Sequence, residues 1–154
     1  MVTDEFVLTV DEVNQRLPLV RSIVRDIMEL DADLTLRRQR LRDLRQRHPS
    51  KPKADPVYEA EVQAVELDLK RDELRLNGFT DELRQIGGEL TCAARGIVDF
   101  AADQDGDRIA LCWKFDEPEL MAWHATACGD NARLPLDLLP DDSDVFGQAN
   151  LFKG

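Results

Sequence analysis

Residues 95 to 124, RGIVDFAADQDGDRIALCWKFDEPELMAWH, hold two turn signals between three apolar runs, and their reading decides the fold. Asp105-Gly106 predicts a two-residue hairpin, because both central residues of that turn must take positive φ and Asp-Gly does so cheaply. With Gln104 and Asp107 flanking the turn, Val98 falls opposite Trp113, Asp99 opposite Cys112 and Phe100 opposite Leu111. A second turn is expected at Glu117-Pro118-Glu119, where proline removes a ladder donor and ends the strand. Folding about Pro118 sets Trp113 opposite Trp123 and Cys112 opposite His124.

Side chains alternate across a strand, so this register defines two faces. One carries Val98, Phe100, Ala102, Ile109, Leu111, Trp113, Phe115, Met121 and Trp123 and is expected to be buried. The other carries Ile97, Asp99, Ala101, Ala110, Cys112, Lys114, Ala122, His124 and Thr126, a trough of mainly small side chains. Across it Asp99, Cys112 and His124 form a row over three strands.

Upstream, Thr9 and Glu12 form a capping box that starts a helix, and Val13, Leu17, Val20, Val24 and Ile27 keep helical spacing. Leu30, Leu34, Leu41 and Leu44 carry the stripe on after a slip, Pro18 must be absorbed by a kink or a later onset, and the helix should end near His48-Pro49. Asp55-Pro56 reads as an N-cap followed by proline in the first turn of a second helix. Its seam, Tyr58, Val62, Val65, Leu69, Asp72, Leu76, Phe79, Leu83 and Ile86, passes through Asn77-Gly78 without losing phase. One helix is therefore predicted, closed by Gly87-Gly88. Folding the pair about the connecting loop brings Leu17 level with Ile86, Val24 with Phe79, Ile27 with Leu76 and Leu34 with Leu69. Residues 2 to 8 could add an edge strand or a loose arm, and the tail from Cys128 should wrap over the sheet or onto a partner.

The chain has 154 residues, enough for one domain with a substantial core. Its formal charge of −11 argues against general binding to nucleic acid or anionic membranes. Three widely spaced cysteines, no basic-then-apolar leader and no apolar run of the ~20 residues that span a bilayer point to a soluble cytoplasmic protein.

Each polar constellation has a chemical and a bland reading. The row Asp99, Cys112, His124 offers carboxylate, thiolate and imidazole, a ligand set of zinc, with Cys128 as a fourth ligand four residues after His124. Its bland reading is a buried thiol beside a hydrogen-bonded Asp and His. As a catalytic triad the row fails on order, since histidine should stand in the middle. Arg37, Arg38, Arg40, Arg42, Arg45, Arg47, His48, Lys51 and Lys53 could clamp phosphates, but Glu66 near Arg37 and Glu61 near Arg42 would absorb them in ion pairs. Asp31 opposite Asp72 could hold a cation or mark a hydrated break answered by Arg75 or Arg38. Trp113 and Trp123 read as core rather than as a stacking platform.

The opening Leu8 to Arg21, then Arg95-Gly96-Ile97-Val98-Asp99-Phe100, Leu111-Cys112-Trp113, Glu117-Pro118, Trp123-His124, Gly129 and Arg133, resembles the small bacterial proteins grouped as domain of unknown function 2203. Ala101 stands where that pattern has proline. The resemblance implies no activity, but it places Asp99, Cys112 and His124 among the motif residues.

The expectation is an α+β protein, a single domain over residues 1–154. Residues 9–88 form a long antiparallel helical hairpin packed on a three-stranded antiparallel meander at 89–127, and 128–154 form an irregular tail. The favoured function is a non-enzymatic cytoplasmic interaction or scaffold module, homodimeric through a coiled-coil-like hairpin and needing no cofactor. The alternatives are a metal-binding protein or metalloenzyme holding zinc at Asp99, Cys112 and His124, and nucleic-acid binding at the arginine-rich tip.

Overall fold

The structure, a computed structural model, describes residues 7–47, 55–125 and 133–138. Thr9 and Glu12 bond reciprocally, amide to side chain, at 2.9 and 3.1 Å, and helix α1 (Val10–Arg47) starts on this capping box. It continues through Pro18 as one helix. Asp55 caps helix α2 (Pro56–Gln85), its Oδ1 accepting from the amides of Val57 and Tyr58, and α2 passes unbroken through Gly78. Gly87, at φ 96°, turns the chain out of the helix.

Five antiparallel strands follow: β1 (Gly88–Cys92), β2 (Ile97–Gln104), β3 (Asp107–Lys114), β4 (Ala122–Ala125) and β5 (Leu134–Pro135), paired in chain order. The expected meander is thus the centre of a larger one. β1 leaves the Gly87 cap directly, with no loop to announce it, and β5 is two residues long. Leu8 is buried, and its amide donates to the Ala101 carbonyl at 2.9 Å beyond the end of β1, so the N-terminal arm extends that edge of β2. A short 3-10 helix, Leu136–Leu138, follows β5.

The hairpin of β2 and β3 has the register expected from Asp105-Gly106, whose φ values are 52° and 85°. The β3–β4 register is different. Cys112 faces Ala122, Leu111 faces Trp123 and Ala110 faces His124, a slip of two residues from the expected pairing. The chain folds about Glu117 rather than Pro118, because Glu117 ties the turn. Its carboxylate accepts from the Lys114 amide, its amide donates to the Lys114 carbonyl, and its carbonyl accepts from the Trp113 indole at 3.0 Å. A slip of two keeps every side chain on its face.

The core lies between α1 and the sheet. Val13, Leu17, Val20, Val24 and Ile27 pack with Val98, Phe100, Leu111, Trp113 and, from α2, Leu83. Met121 precedes β4 and is exposed, Leu120 taking the buried place beside it. Farther out, Leu30, Leu34, Leu41 and Leu69 form a second apolar cluster with Val62 and Val65 at its margin, so the hairpin seam is closed within the chain. Among the described residues no helix is long and apolar enough to cross a membrane.

Candidate metal centre

The trough face is buried as well as the core face: Ile97, Ala110, Cys112, Ala122 and His124 all lie below the surface. Three strands each contribute one metal-ligand type of side chain to it. Asp99 and Cys112 are cross-strand partners, and His124, opposite Ala110, reaches over that methyl group to Asp99. One carboxylate oxygen, the thiol sulfur and one ring nitrogen lie within 4.8 Å of one another. The predicted row is therefore assembled, although by a diagonal approach of His124 to Cys112 in place of the expected direct pairing. Cys128, the expected fourth ligand, lies outside the described residues.

The histidine ring is held at both nitrogens. Nε2 stands 3.1 Å from Asp99 Oδ2, and Nδ1 stands 2.9 Å from the Ala125 carbonyl oxygen. A carbonyl accepts only, so Nδ1 is the nitrogen that donates to Ala125, which leaves Nε2 to meet the Asp99 carboxyl through a shared proton or to meet a metal ion. The other carboxylate oxygen, Asp99 Oδ1, is buried and has no hydrogen-bond partner. This geometry also revises the case against a triad. Histidine does touch the aspartate, but its second nitrogen is spent on Ala125 and not on Cys112. Burial, and then the Asp99 carboxylate, push the Cys112 thiol up to about 11 against the pull of Arg133, which leaves it a poor nucleophile in the metal-free protein.

Two residues beside the site were not among the expected ligands. Arg133 Nη2 donates to the Cys112 carbonyl at 3.1 Å and to both Glu117 oxygens at 3.0 Å, a half-buried ion pair beside Cys112. Both residues belong to the motifs that carry the family resemblance, the one signal by which sequence could have nominated them.

The remaining candidates resolve into structural roles. Arg37 bonds Asp72 at 2.6 Å, Arg38 bonds Glu73 at 3.0 Å and Arg45 bonds Glu66, so Arg37 and Glu66, expected to pair, each find a partner about two turns away. Long helical side chains lean toward their own N-terminus, and on antiparallel helices the two leans add. Arg42 bonds Gln39. The side chain of Arg47, and His48, Lys51 and Lys53, lie outside the described residues. Asp72 is answered by Arg37 and Arg75, the former holding its carboxyl below the ordinary range, so it forms no carboxylate pair with Asp31. Trp113 is core, its face stacked under Arg21, whereas Trp123 is half-buried against the core edge.

The fold and site define an α+β protein in which a helical hairpin backs an antiparallel sheet that carries a Cys/His/Asp cluster on its far face. Residues 7–136 match the family described as Uncharacterized conserved protein (DUF2203), and the chain belongs to that family. No curated protein and no solved structure matches it.

Proposed function

We propose that this is a metal-binding protein whose centre, built on Asp99, Cys112 and His124, takes zinc. One observation carries the reading: three chemically different donors converge within 4.8 Å, with the histidine already oriented by a carbonyl on its far nitrogen. Ligating histidines characteristically donate their second N–H in this way, which aims the lone pair of the first at the metal. Thiolate, imidazole and carboxylate together suit zinc and exclude the hard cations magnesium and calcium. The raised Cys112 pKa is compatible, because a metal displaces the thiol proton. Three protein donors among the described residues leave a fourth position, which Cys128 would close or a water or other small ligand would fill, as in open zinc centres.

Elemental analysis of tag-free protein tests this directly. The expected result is close to one zinc per chain, together with a thiolate-to-cobalt charge-transfer band in the cobalt-loaded protein that Cys112→Ser abolishes. Protein that retains no metal, with a melting temperature unmoved by added zinc, would sink the reading.

A second observation supports self-association. Leu67 and Leu74 are 64% and 65% exposed, one heptad apart on the face of α2 turned away from the seam, with Arg71 between them and Ala60, Ala64 and Gly78 extending the stripe to either side. A homodimer would form there, outside the seam, giving the interaction module its surface. Size-exclusion chromatography with light scattering checks it: a monomer at high concentration, unchanged by Leu67→Lys with Leu74→Lys, removes the dimer. Both readings assume a reducing cytoplasm, which keeps Cys112 a thiol. Nucleic-acid binding draws least support, since Arg37, Arg38 and Arg45 each hold a carboxylate.

A further inference from the structure

Arg133 enters the trough from the side opposite Asp99. It lies just before β5, and Ala122, the β4 residue that faces Cys112, carries only a methyl group. A long side chain from the sheet edge can therefore cross β4 and reach β3. Its Nη2 holds the Cys112 carbonyl and Glu117, as described, while its Nε is buried and has no acceptor. A buried donor without a partner costs ~1–3 kcal/mol, more when charged, so the trough presents an N–H that an incoming acceptor would satisfy. Across the same trough, the lining from Ala101, Ala110 and Ala122 leaves little bulk above Cys112.

Resting on the metal reading with three protein ligands, we propose that the centre takes a small oxyanion as its exogenous ligand, one oxygen filling the fourth metal position and another accepting from Arg133. Guanidinium and metal then share one anion, a charge-assisted contact made through the one unpartnered Nε–H. Carboxylate, bicarbonate and phosphate share this chemistry, and the shallow lining favours the smaller, planar members.

The test uses the full chain loaded with one equivalent of cobalt and freed of excess metal. Visible absorption is followed while acetate, bicarbonate or phosphate is added at constant ionic strength, with chloride as control. A saturable spectral change with acetate or bicarbonate and none with chloride is expected, and a response to phosphate as well would extend the ligand class to tetrahedral anions. Arg133→Gln should keep its cobalt and bind the anion at least 10-fold more weakly. If Arg133→Gln unfolds by circular dichroism, Arg133→Lys replaces it: the charge remains, the Nε–H is gone, and the same weakening is expected. Failure to load cobalt overturns the metal reading and this inference with it. A loaded protein that responds to none of the three anions, or variants that bind them as tightly as wild type, overturns the oxyanion alone.

Discussion

His124 Nε2 lies 3.1 Å from Asp99 Oδ2 while its Nδ1 is engaged by the carbonyl of the next residue, so the Nε2–Oδ2 contact has to hold either a proton or a metal ion. Two bare electron pairs there would repel, whereas a proton shared between ring and carboxyl, or a metal ion, makes the contact favourable. Asp99→Asn separates the two needs. The amide can donate to the Nε2 lone pair, so the metal-free variant should be as stable as wild type within about 1 kcal/mol. The lost carboxylate should weaken zinc binding by at least about 10-fold, measured by competition with a chromophoric chelator. An unchanged zinc affinity would show that Asp99 is only the histidine's hydrogen-bond partner.

The second prediction concerns pH in the metal-free protein. Burial raises the Cys112 thiol from 9.0 to about 11, so the folded state holds this proton more tightly than the unfolded chain. Stability from this source is complete below pH 9 and is lost as pH climbs through about 11, where the folded protein must also release the proton. The loss is on the order of 2 kcal/mol. Denaturant unfolding at pH 8 and at the alkaline end measures it as the difference between wild type and Cys112→Ala, which cancels the tyrosine and lysine contributions. If zinc binds as proposed, the sign should reverse, because a thiolate ligand makes affinity rise with pH. Parallel curves for the two proteins would mean that Cys112 is not the buried thiol described.

How far the site could be read from sequence depended on which turn set each register. Asp105-Gly106 is a backbone turn with its own dihedral demands, and the pairing of Asp99 with Cys112 followed from it. The β3–β4 turn is organised by side chains: Glu117 reaches the Lys114 amide and Arg133, and Trp113 and Arg21 reach the Glu117 carbonyl. No dipeptide encodes such a set of long-range bonds, and the expected pivot fell one residue late. The row survived because the resulting slip was even. β1 and β5 went unseen for a related reason, being held to the sheet by their neighbours and not by a pattern of their own. The helices were legible throughout, since capping and seam periodicity are local, whereas the arginine partners depend on the direction in which side chains lean.

Gly78 supplies a third prediction from the same legible helix. It sits inside α2, has no positive φ, and a β-carbon there would meet nothing within 4 Å. Gly78→Ala should therefore raise stability by about 1 kcal/mol, the difference in helix propensity, without altering the fold. Urea denaturation checks it through the midpoint at constant slope. Because Gly78 lies on the outer stripe of α2, the same variant run by light scattering bears on the dimer reading: a loss of self-association would show that partner helices approach closely at this point.

Gly96, between β1 and β2, lies against Met28 and Val24 of α1, and it gives the fourth prediction. Gly96 has φ +64°, and a β-carbon there would lie 2.7 Å from Met28 Sδ, 2.8 Å from Phe115 Cβ and 3.2 Å from Val24 Cγ1. Met28 is flexible and could turn aside, but Phe115 Cβ is fixed to the backbone at the start of the Glu117 turn, so a shift there would loosen the segment that ties β3 to β4. Gly96→Ala should cost about 1–2 kcal/mol for the left-handed backbone and a further ~1–3 kcal/mol for overpacking. Gly106 is the control, with φ +85° and nothing within 4 Å of an added β-carbon, so Gly106→Ala should cost the backbone part alone. The difference between the two variants in urea denaturation measures how tightly α1 is seated on the sheet. Equal losses would mean that α1 stands off the turn. A larger loss at Gly96, accompanied by weaker zinc binding, would connect the core face of the sheet to the trough through Phe115 and Glu117.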